Sequence, residues 1–182
     1  VVRGNVFTAT DRAINRAWGA ARGGVFTANA WIRDLSQGEA RPFVFEYFDT
    51  SDAQPAPGHR VLDALTTEDL TATDQWNAPG PYAATREWSL TVAVVDGSGA
   101  PVPDAAVSVR DALGAPAFSG VTDAAGLCLG TVVGTRISNG PTVVVQGPFA
   151  VTVTKAGVGA YAGTVPVTKT SALRVELAAS TA

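Results

Sequence analysis

Residues that could carry out catalysis are few in this 182-residue sequence. The one histidine, His59, lies near Asp63, and a histidine beside a carboxylate is a common general base. A catalytic set also needs a nucleophile next to that base, and the sequence places none beside His59. Cys128 is the one cysteine, and its position in an apolar run predicts a buried side chain. We therefore expect no catalytic residues, and the sequence predicts a protein that is not an enzyme.

The acidic residues do not form a metal motif. Asp49 with Asp52, or Glu68 with Asp69, would offer the oxygen ligands that calcium prefers. The twelve-residue loop of carboxylates and glycine that specifies such a site is missing from the sequence. The sequence predicts no metal ion and no cofactor.

Four aromatic residues are candidates for binding rather than catalysis. Trp31, Trp76, Tyr82 and Trp88 are predicted contacts for a glycan or a protein partner, because flat rings can stack on sugars. The competing interpretation is that such rings fill the core, where aromatic side chains contribute large buried areas.

Composition and charge exclude several kinds of partner. Charged residues make up 16% of the chain, against about 25% in typical soluble domains. Eight Arg oppose eleven Asp and Glu up to Glu87, and five basic residues match five acidic ones from Trp88 onward. Neither part has the basic stripe that nucleic acid requires, and the apolar runs are too short for a membrane span. The sequence predicts neither nucleic-acid binding nor a membrane span, and the neutral, Thr/Ala/Gly-rich second part predicts self-association as a homo-oligomer or polymer.

An internal repeat marks the N-terminal part. Arg3–Ala9 (RGNVFTA) recurs 19 residues later as Arg22–Ala28 (RGGVFTA), with six of seven positions identical. Repetition at this spacing favours stacked rungs of a parallel β-solenoid. Two rungs do not close a core, so we expect them to be the end of a longer solenoid or to pack on another element. The alternative is a helix over Asp11–Ala21, whose apolar residues recur at helical spacing.

The rest of the N-terminal part is predicted to be less regular. Arg41–Phe48 alternates aromatic and other residues, which is typical of a strand. Asp49–Pro81 is rich in proline, which cannot donate a backbone hydrogen bond, and is predicted to be a long connection with at most one helical turn near Thr66. We assign residues 1–87 to a β-rich N-terminal region with two solenoid-like repeats and this Pro-rich connection.

A regular alternation of apolar residues begins at Trp88. Trp88, Leu90, Val92 and Val94 share one face of a predicted strand, and Ala105, Val107 and Val109 share one face of the next. The loop Gly97–Pro103 is predicted to join the two as a hairpin. Further short runs follow, bounded by Gly, Pro, Ser or Thr: 116–122, 127–133, 142–146, 149–154, 163–168 and 173–177. This pattern predicts a seven-stranded β-sandwich over residues 88–182 and an all-β chain.

The stretch from LTVAVVDGSGAPVPDAAVSV through GVTDAAG to PFAVTVTKAGVGAYAG resembles the carboxypeptidase regulatory-like domains, which are transthyretin-like, Ig-like β-sandwiches. The positions that match the family pattern cover about half of the chain: Asp96, Gly99, Pro101, Val102, Ala105, Val107, Thr122, Asp123, Gly126, Gly157 and Tyr161. The resemblance implies a non-catalytic module of an exported protein. The N-terminal part more weakly resembles the end of exported parallel β-helix proteins.

These observations together predict a non-catalytic structural module, a subunit of a self-assembling extracellular fibre, surface layer or adhesin. The alternatives are a carbohydrate-binding module and an accessory domain of a larger secreted enzyme. Because the chain contains no methionine, we expect it to be a processed or excised piece of a longer protein found outside the cell or at its surface.

Overall fold

A computed structural model of the chain describes residues 2–4, 6–9, 12–15, 25–27, 30–33, 41–46, 59–63, 65–66, 75–77, 83–138 and 142–178. Within these ranges the regular structure is entirely β, which confirms the predicted all-β class. The strands are β1 (Val2–Arg3), β2 (Val6–Ala9), β3 (Arg12–Asn15), β4 (Val25–Thr27), β5 (Ala30–Arg33), β6 (Arg41–Glu46), β7 (His59–Leu62), β8 (Leu65–Thr66), β9 (Gln75–Asn77), β10 (Ala83–Val95), β11 (Ala106–Arg110), β12 (Pro116–Val121), β13 (Leu127–Ser138), β14 (Thr142–Val145), β15 (Phe149–Lys155), β16 (Gly159–Val165) and β17 (Ser171–Glu176).

The chain forms two compact units. The first consists of Val1–Glu87 and Thr135–Val145, and the second of Trp88–Gly134 and Gln146–Ala182. The first unit gives way to the second between Glu87 and Trp88, which is within β10.

The first unit contains parallel sheets whose strands recur in chain order. β1, β4, β7 and β10 are neighbours in one sheet, β2, β5 and β8 in a second, and β3, β6 and β9 in a third. Every described pairing along these three series is parallel. Three successive strands, one from each sheet, therefore make one rung, and the rungs stack as in a β-solenoid.

The rungs differ in length, so their register does not follow the sequence repeat. Val2 aligns with Phe26, Phe26 with Val61, and Val61 with Arg86, which gives rungs of 24, 35 and 25 residues. The two copies of Val-Phe-Thr lie in different sheets, one in β2 and the other in β4. The expectation that equivalent residues of the 19-residue repeat stack on one another is therefore wrong.

The third rung comes from the segment predicted to be a Pro-rich connection. β7, β8 and β9 all lie within it and pair with the strands of the second rung. They contain two to four residues each, too few to show an alternation in the sequence. The prediction of two rungs followed by an irregular connection is corrected to three rungs.

The helix considered for Asp11–Ala21 is contradicted where the structure describes it. Arg12–Asn15 is β3, paired in parallel with β6. The remainder of that segment lies outside the described residues, as does the helical turn considered after Thr66.

The second unit is a sandwich of two sheets. One has the order β12-β11-β15-β16 and is antiparallel throughout. In the other, β10 has β17 as a parallel neighbour and β13 as a second neighbour. Residues 142–145, predicted to be a sandwich strand, belong to the first unit instead. The other seven predicted runs overlap the seven strands of the second unit.

Alternate residues of the sandwich strands form its core. Leu90, Val92 and Val94 of β10 are buried, and so are Val107 and Val109 of β11. Phe149, Val151 and Val153 of β15 belong to the same core. The period of two in the sequence therefore identified the inward-facing side chains of β10 and β11.

The two strands that flank Gly97–Pro103 do not form the predicted hairpin. β11 pairs with β12 and β15, in the opposite sheet from β10. Thr122 stabilises the crossing, because its buried hydroxyl donates to the Val102 carbonyl at 2.7 Å and accepts from the Ala105 N–H at 2.8 Å. A run of alternating residues shows which face is buried, but not which sheet the strand joins.

Three turns of the sandwich share the pattern Asp-x-x-Gly-x. In each, the Asp side chain accepts from the N–H groups two and four residues later, and the fourth residue is a Gly with positive φ. The turns are 96–100, 111–115 and 123–127. Gly99 and Gly126 have φ values of 84° and 74°. Gly permits this conformation without a clash of Cβ with its own backbone.

Gly126→Ala should destabilise the chain much more than Gly114→Ala. Both glycines occupy the same turn position at positive φ, which costs an L-residue about 1–2 kcal/mol. A Cβ on Gly126 would also lie 2.6 Å from the Val94 carbonyl oxygen, whereas one on Gly114 meets open space. We expect a loss of about 1–2 kcal/mol for Gly114→Ala and about 2–5 kcal/mol for Gly126→Ala. Urea unfolding measures both, and equal losses would contradict this account of the turn.

Candidate functional site

The structure does not support a catalytic pair of His59 and Asp63. His59 begins β7, and Asp63 directly follows its last residue. At about 3.3 Å per residue, the two α-carbons are about 13 Å apart along the strand. The prediction that His59 lies in a loop is wrong, because it pairs with Ala84 in a parallel ladder.

Of the four predicted aromatic contacts, Trp88 is the one whose side chain the structure describes. Trp88 is 5% exposed and belongs to the sandwich core, so its ring faces are not available to a sugar. Trp31 lies in β5 and Trp76 in β9, which are strands of different sheets. Tyr82 lies outside the described residues. Burial removes Trp88 from the predicted set.

Cys128 is buried, as its sequence context predicts. Burial, followed by the negative charge of Asp123, raises the pKa of the thiol above its ordinary value. A thiol that stays protonated and inaccessible is a poor nucleophile. Among the residues that the structure describes, no three His, Cys, Asp or Glu side chains form a potential metal site.

An ion pair joins the third rung to the next strand of its sheet. Both nitrogens of the Arg60 side-chain fork, Nε and Nη2, donate to Glu87, at 2.8 and 2.5 Å, and the Thr85 hydroxyl donates to the same carboxylate at 2.8 Å. The side chain of Glu87 is 6% exposed. Hydrogen bonding to Glu87 raises the pKa of Arg60. With its carboxylate oxygens occupied in this way, Glu87 acts as a structural anchor for the register of β7 on β10.

The outer strands of the four-stranded sheet are the most distinctive surface of the described chain. β12 is at one edge of this sheet and β16 at the other. Neither strand contains a charged residue, and β16 contains no proline. Sheet edges usually carry lysine, proline or a bulge that prevents pairing with another chain. β12 has such protection only in part, through Pro116 and a register shift opposite Val109 and Arg110.

The outward face of this sheet consists mostly of small residues. Ala150, Thr152 and Thr154 alternate with the buried residues of β15 and are exposed. On β16 the exposed residues are Ala160, Ala162 and Thr164. Ala160 also forms a bridge with Ala178, so the unpaired edge of β16 extends over residues 161–165. This segment is uncharged and paired on one side only within the described residues.

Sequence reasoning alone did not identify these edges as a site. The segment of β16 was predicted at 163–168, although the strand is Gly159–Val165. Its sequence GAYAGTV has small residues on both faces, so alternation does not identify its bounds. The useful signal is the absence of charge in both β12 and β16, which has meaning only once both are known to be edges.

Comparison with known proteins adds little to this description. No protein-family model matches the chain, and no curated protein matches it. Among solved structures, the chain is similar to the Bacillus anthracis TIE protein, with 13% sequence identity and a TM-score of 0.36. The similarity covers 57% of this chain and 19% of that one. In the part of the chain that the structure describes, no helix has the length and apolar character needed to cross a membrane.

The Cys128 thiol should react very slowly with a thiol reagent in the folded chain. The thiol can react only when the core opens and exposes it. An opening free energy of about 4 kcal/mol makes labelling of the folded chain at least about 1,000-fold slower than labelling of the chain unfolded in urea. Ala124→Cys places a control thiol in the exposed turn beside it, and that thiol should react at once. Rapid modification of Cys128 in the native chain would contradict its burial.

Ser98→Ala should raise the pKa of Asp96 toward its ordinary value. The Asp96 pKa lies below its ordinary value, chiefly because the Ser98 hydroxyl donates to its carboxylate, and the N–H groups of Ser98 and Ala100 add to this effect. The resulting stabilisation is fully present above the unfolded pKa and is lost as the pH falls through the folded value. An NMR titration of the Asp96 carboxyl measures the shift.

Urea unfolding measures the change in stability that accompanies this change in the Asp96 pKa. The deficit of Ser98→Ala should be present at about pH 7 and shrink as the pH falls through the folded-state pKa of Asp96. Ser119→Ala, which removes an exposed hydroxyl from β12, serves as the control. A deficit that stays constant with pH would assign the effect of Ser98 to something other than Asp96.

Proposed function

We propose that this chain is a non-catalytic structural module that polymerises by extension of its four-stranded sheet from copy to copy. The observation that carries the proposal is the pair of uncharged outer strands, β12 and β16, at opposite edges of one antiparallel sheet. Unpaired backbone donors and acceptors at such an edge can bind a strand of another molecule.

The strand directions favour an open polymer. Because each neighbouring pair in the order β12-β11-β15-β16 is antiparallel, β12 and β16 run in opposite directions. If a second copy is placed in the same orientation beside the first, its β12 lies antiparallel to β16 of the first copy. The contact joins two different surfaces, and such heterologous contacts generate filaments when they do not close into a ring.

Charge does not oppose this contact. Residues from Trp88 to the C-terminus contain equal numbers of basic and acidic residues. β16 carries Ala, Gly, Thr, Tyr and Val only, so a neighbouring strand meets no buried charge on pairing. A neutral surface lacks the repulsion that keeps molecules apart.

A module of this kind suits an extracellular fibre, surface layer or adhesin. We infer that the second unit is related to the carboxypeptidase regulatory-like sandwiches, because the positions that suggest the resemblance have structural roles here. Asp96 and Asp123 organise turns, Gly99 and Gly126 adopt positive φ, and Thr122 holds the crossing segment. These roles concern the fold, which is consistent with a module that has no catalytic task.

Two lysine substitutions on the edge strand β16 should prevent polymerisation, whereas two lysine substitutions on the neighbouring strand β15 should not. Ala162→Lys with Thr164→Lys puts charge on β16, and Ala150→Lys with Thr152→Lys puts the same charge on β15, which is interior to the sheet. All four side chains are exposed, and Ala150 pairs with Thr164 as Thr152 pairs with Ala162. Sedimentation velocity and electron microscopy over a range of concentrations should show polymers of the wild type and the β15 variant only.

Other outcomes would contradict the proposal. A wild-type chain that stays monomeric at every concentration would refute polymerisation itself. Loss of assembly in both variants would indicate face-to-face stacking rather than edge pairing. Assembly of the β16 variant at the wild-type concentration would exclude this edge.

A further inference from the structure

We propose that the second unit resists tension along the chain, because its first and last strands form a mechanical clamp. β10 and β17 pair in parallel over six aligned positions, from Leu90 with Ser171 to Val95 with Glu176. The ladder continues where the Leu177 N–H donates to the Val95 carbonyl at 2.9 Å. The chain enters this unit at Trp88 and leaves its last strand after Glu176.

The parallel direction decides how a pulling force acts on these strands. Tension that enters at the start of β10 and leaves at the end of β17 pulls the two strands in opposite directions along their length. The inter-strand hydrogen bonds, evenly spaced in a parallel ladder, then bear the load together. If the force were applied to the same end of both strands, the bonds would bear it one after another and break at a lower force.

Side-chain packing resists the shearing of β10 against β17 together with the hydrogen bonds. Leu90, Val92 and Val94 of β10 are buried, and Val175 of β17 and Leu177 are buried with them in one cluster. Sliding of β17 along β10 must therefore break core packing together with the hydrogen bonds. β13 is a further neighbour of β10 in the same sheet, so β10 cannot leave without breaking a second ladder.

This inference does not depend on polymerisation. The clamp belongs to a single copy, and it would hold together whatever is attached to the two ends of the unit. It assigns the chain a mechanical role, the transmission of force along the backbone without unfolding of the sandwich.

Single-molecule pulling on the full chain tests the clamp with two attachment geometries. In the first, handles are attached at Val1 and Ala182, so that β10 and β17 are sheared. In the second, handles are attached at Ala182 and at Ser98→Cys, in the exposed turn after β10, so that the same two strands are peeled apart; native Cys128 is buried and does not compete for the handle. Release of the sandwich is recognised by a gain in length of about 30 nm.

We expect the sandwich to rupture at a force at least about twofold higher in the first geometry, since forced unfolding follows the unfolding rate along the pulled direction. Equal rupture forces in the two geometries would overturn the proposal. Because each measurement uses one molecule, its outcome is independent of whether the chain polymerises.

A matched pair of substitutions separates the clamp from general stability. Val175→Ala changes β17 and Val151→Ala changes β15, and both side chains are 0% exposed. Both should lower the urea midpoint of unfolding to a similar extent. Only Val175→Ala should shorten the lifetime under constant end-to-end force, by about tenfold. An equal loss of lifetime for Val151→Ala would assign resistance to the whole sandwich and refute the clamp.

Discussion

Leu90, Val92 and Val94 are buried on one face of β10, and the arrangement of the second unit depends on their burial. A strand with one apolar face needs a second layer to cover it. That layer is the four-stranded sheet, whose own buried residues, including Val107 and Val151, belong to the same core. The chain crosses from one sheet to the other directly after β10, and the buried Thr122 hydroxyl stabilises the crossing segment through two backbone hydrogen bonds.

Side-chain alternation predicted which residues face the core, and it predicted nothing about strand partners. Leu90 and Val107 lie on the faces that the alternation grouped together, and both faces are buried. The same run was interpreted as a hairpin, although β10 and β11 belong to different sheets. A loop containing Gly and Pro accommodates either route, and the choice depends on long-range contacts such as those of Thr122. Burial also decides between the two interpretations of Trp88, since a ring in the core does not contact a ligand.

The solenoid in the first unit shows a different limit of sequence reasoning. The RGNVFTA repeat suggested the correct architecture, but the register runs from Val6 to Ala30 rather than from Val6 to Val25. Rungs of unequal length produce no fixed period in the sequence. Strands as short as Leu65–Thr66 also leave too little alternation to recognise. The Arg60–Glu87 pair, by contrast, depends on two residues 27 positions apart, and only the aligned strands bring them together.

The candidate site combines sequence and topology. The absence of charge in GAYAGTV has little meaning in a core strand, where it is expected. At the outer edge of a sheet it removes the usual protection against pairing, and the opposite direction of β12 at the other edge supplies a matching partner surface. The clamp between β10 and β17 lies in the other sheet of the sandwich. The proposed association at one sheet and the proposed resistance to force at the other are therefore compatible within the same molecule.

Hydrogen exchange of the backbone amides, compared between dilute monomer and assembled material, tests edge pairing most directly. Within residues 161–165 of β16 and within β12, the alternate amides that point away from the neighbouring strand should become protected on assembly, because they acquire hydrogen-bond partners from the neighbouring copy. Amides of β11 and β15 are already paired on both sides and should change little. Assembly without new protection in β12 and β16 would contradict the account.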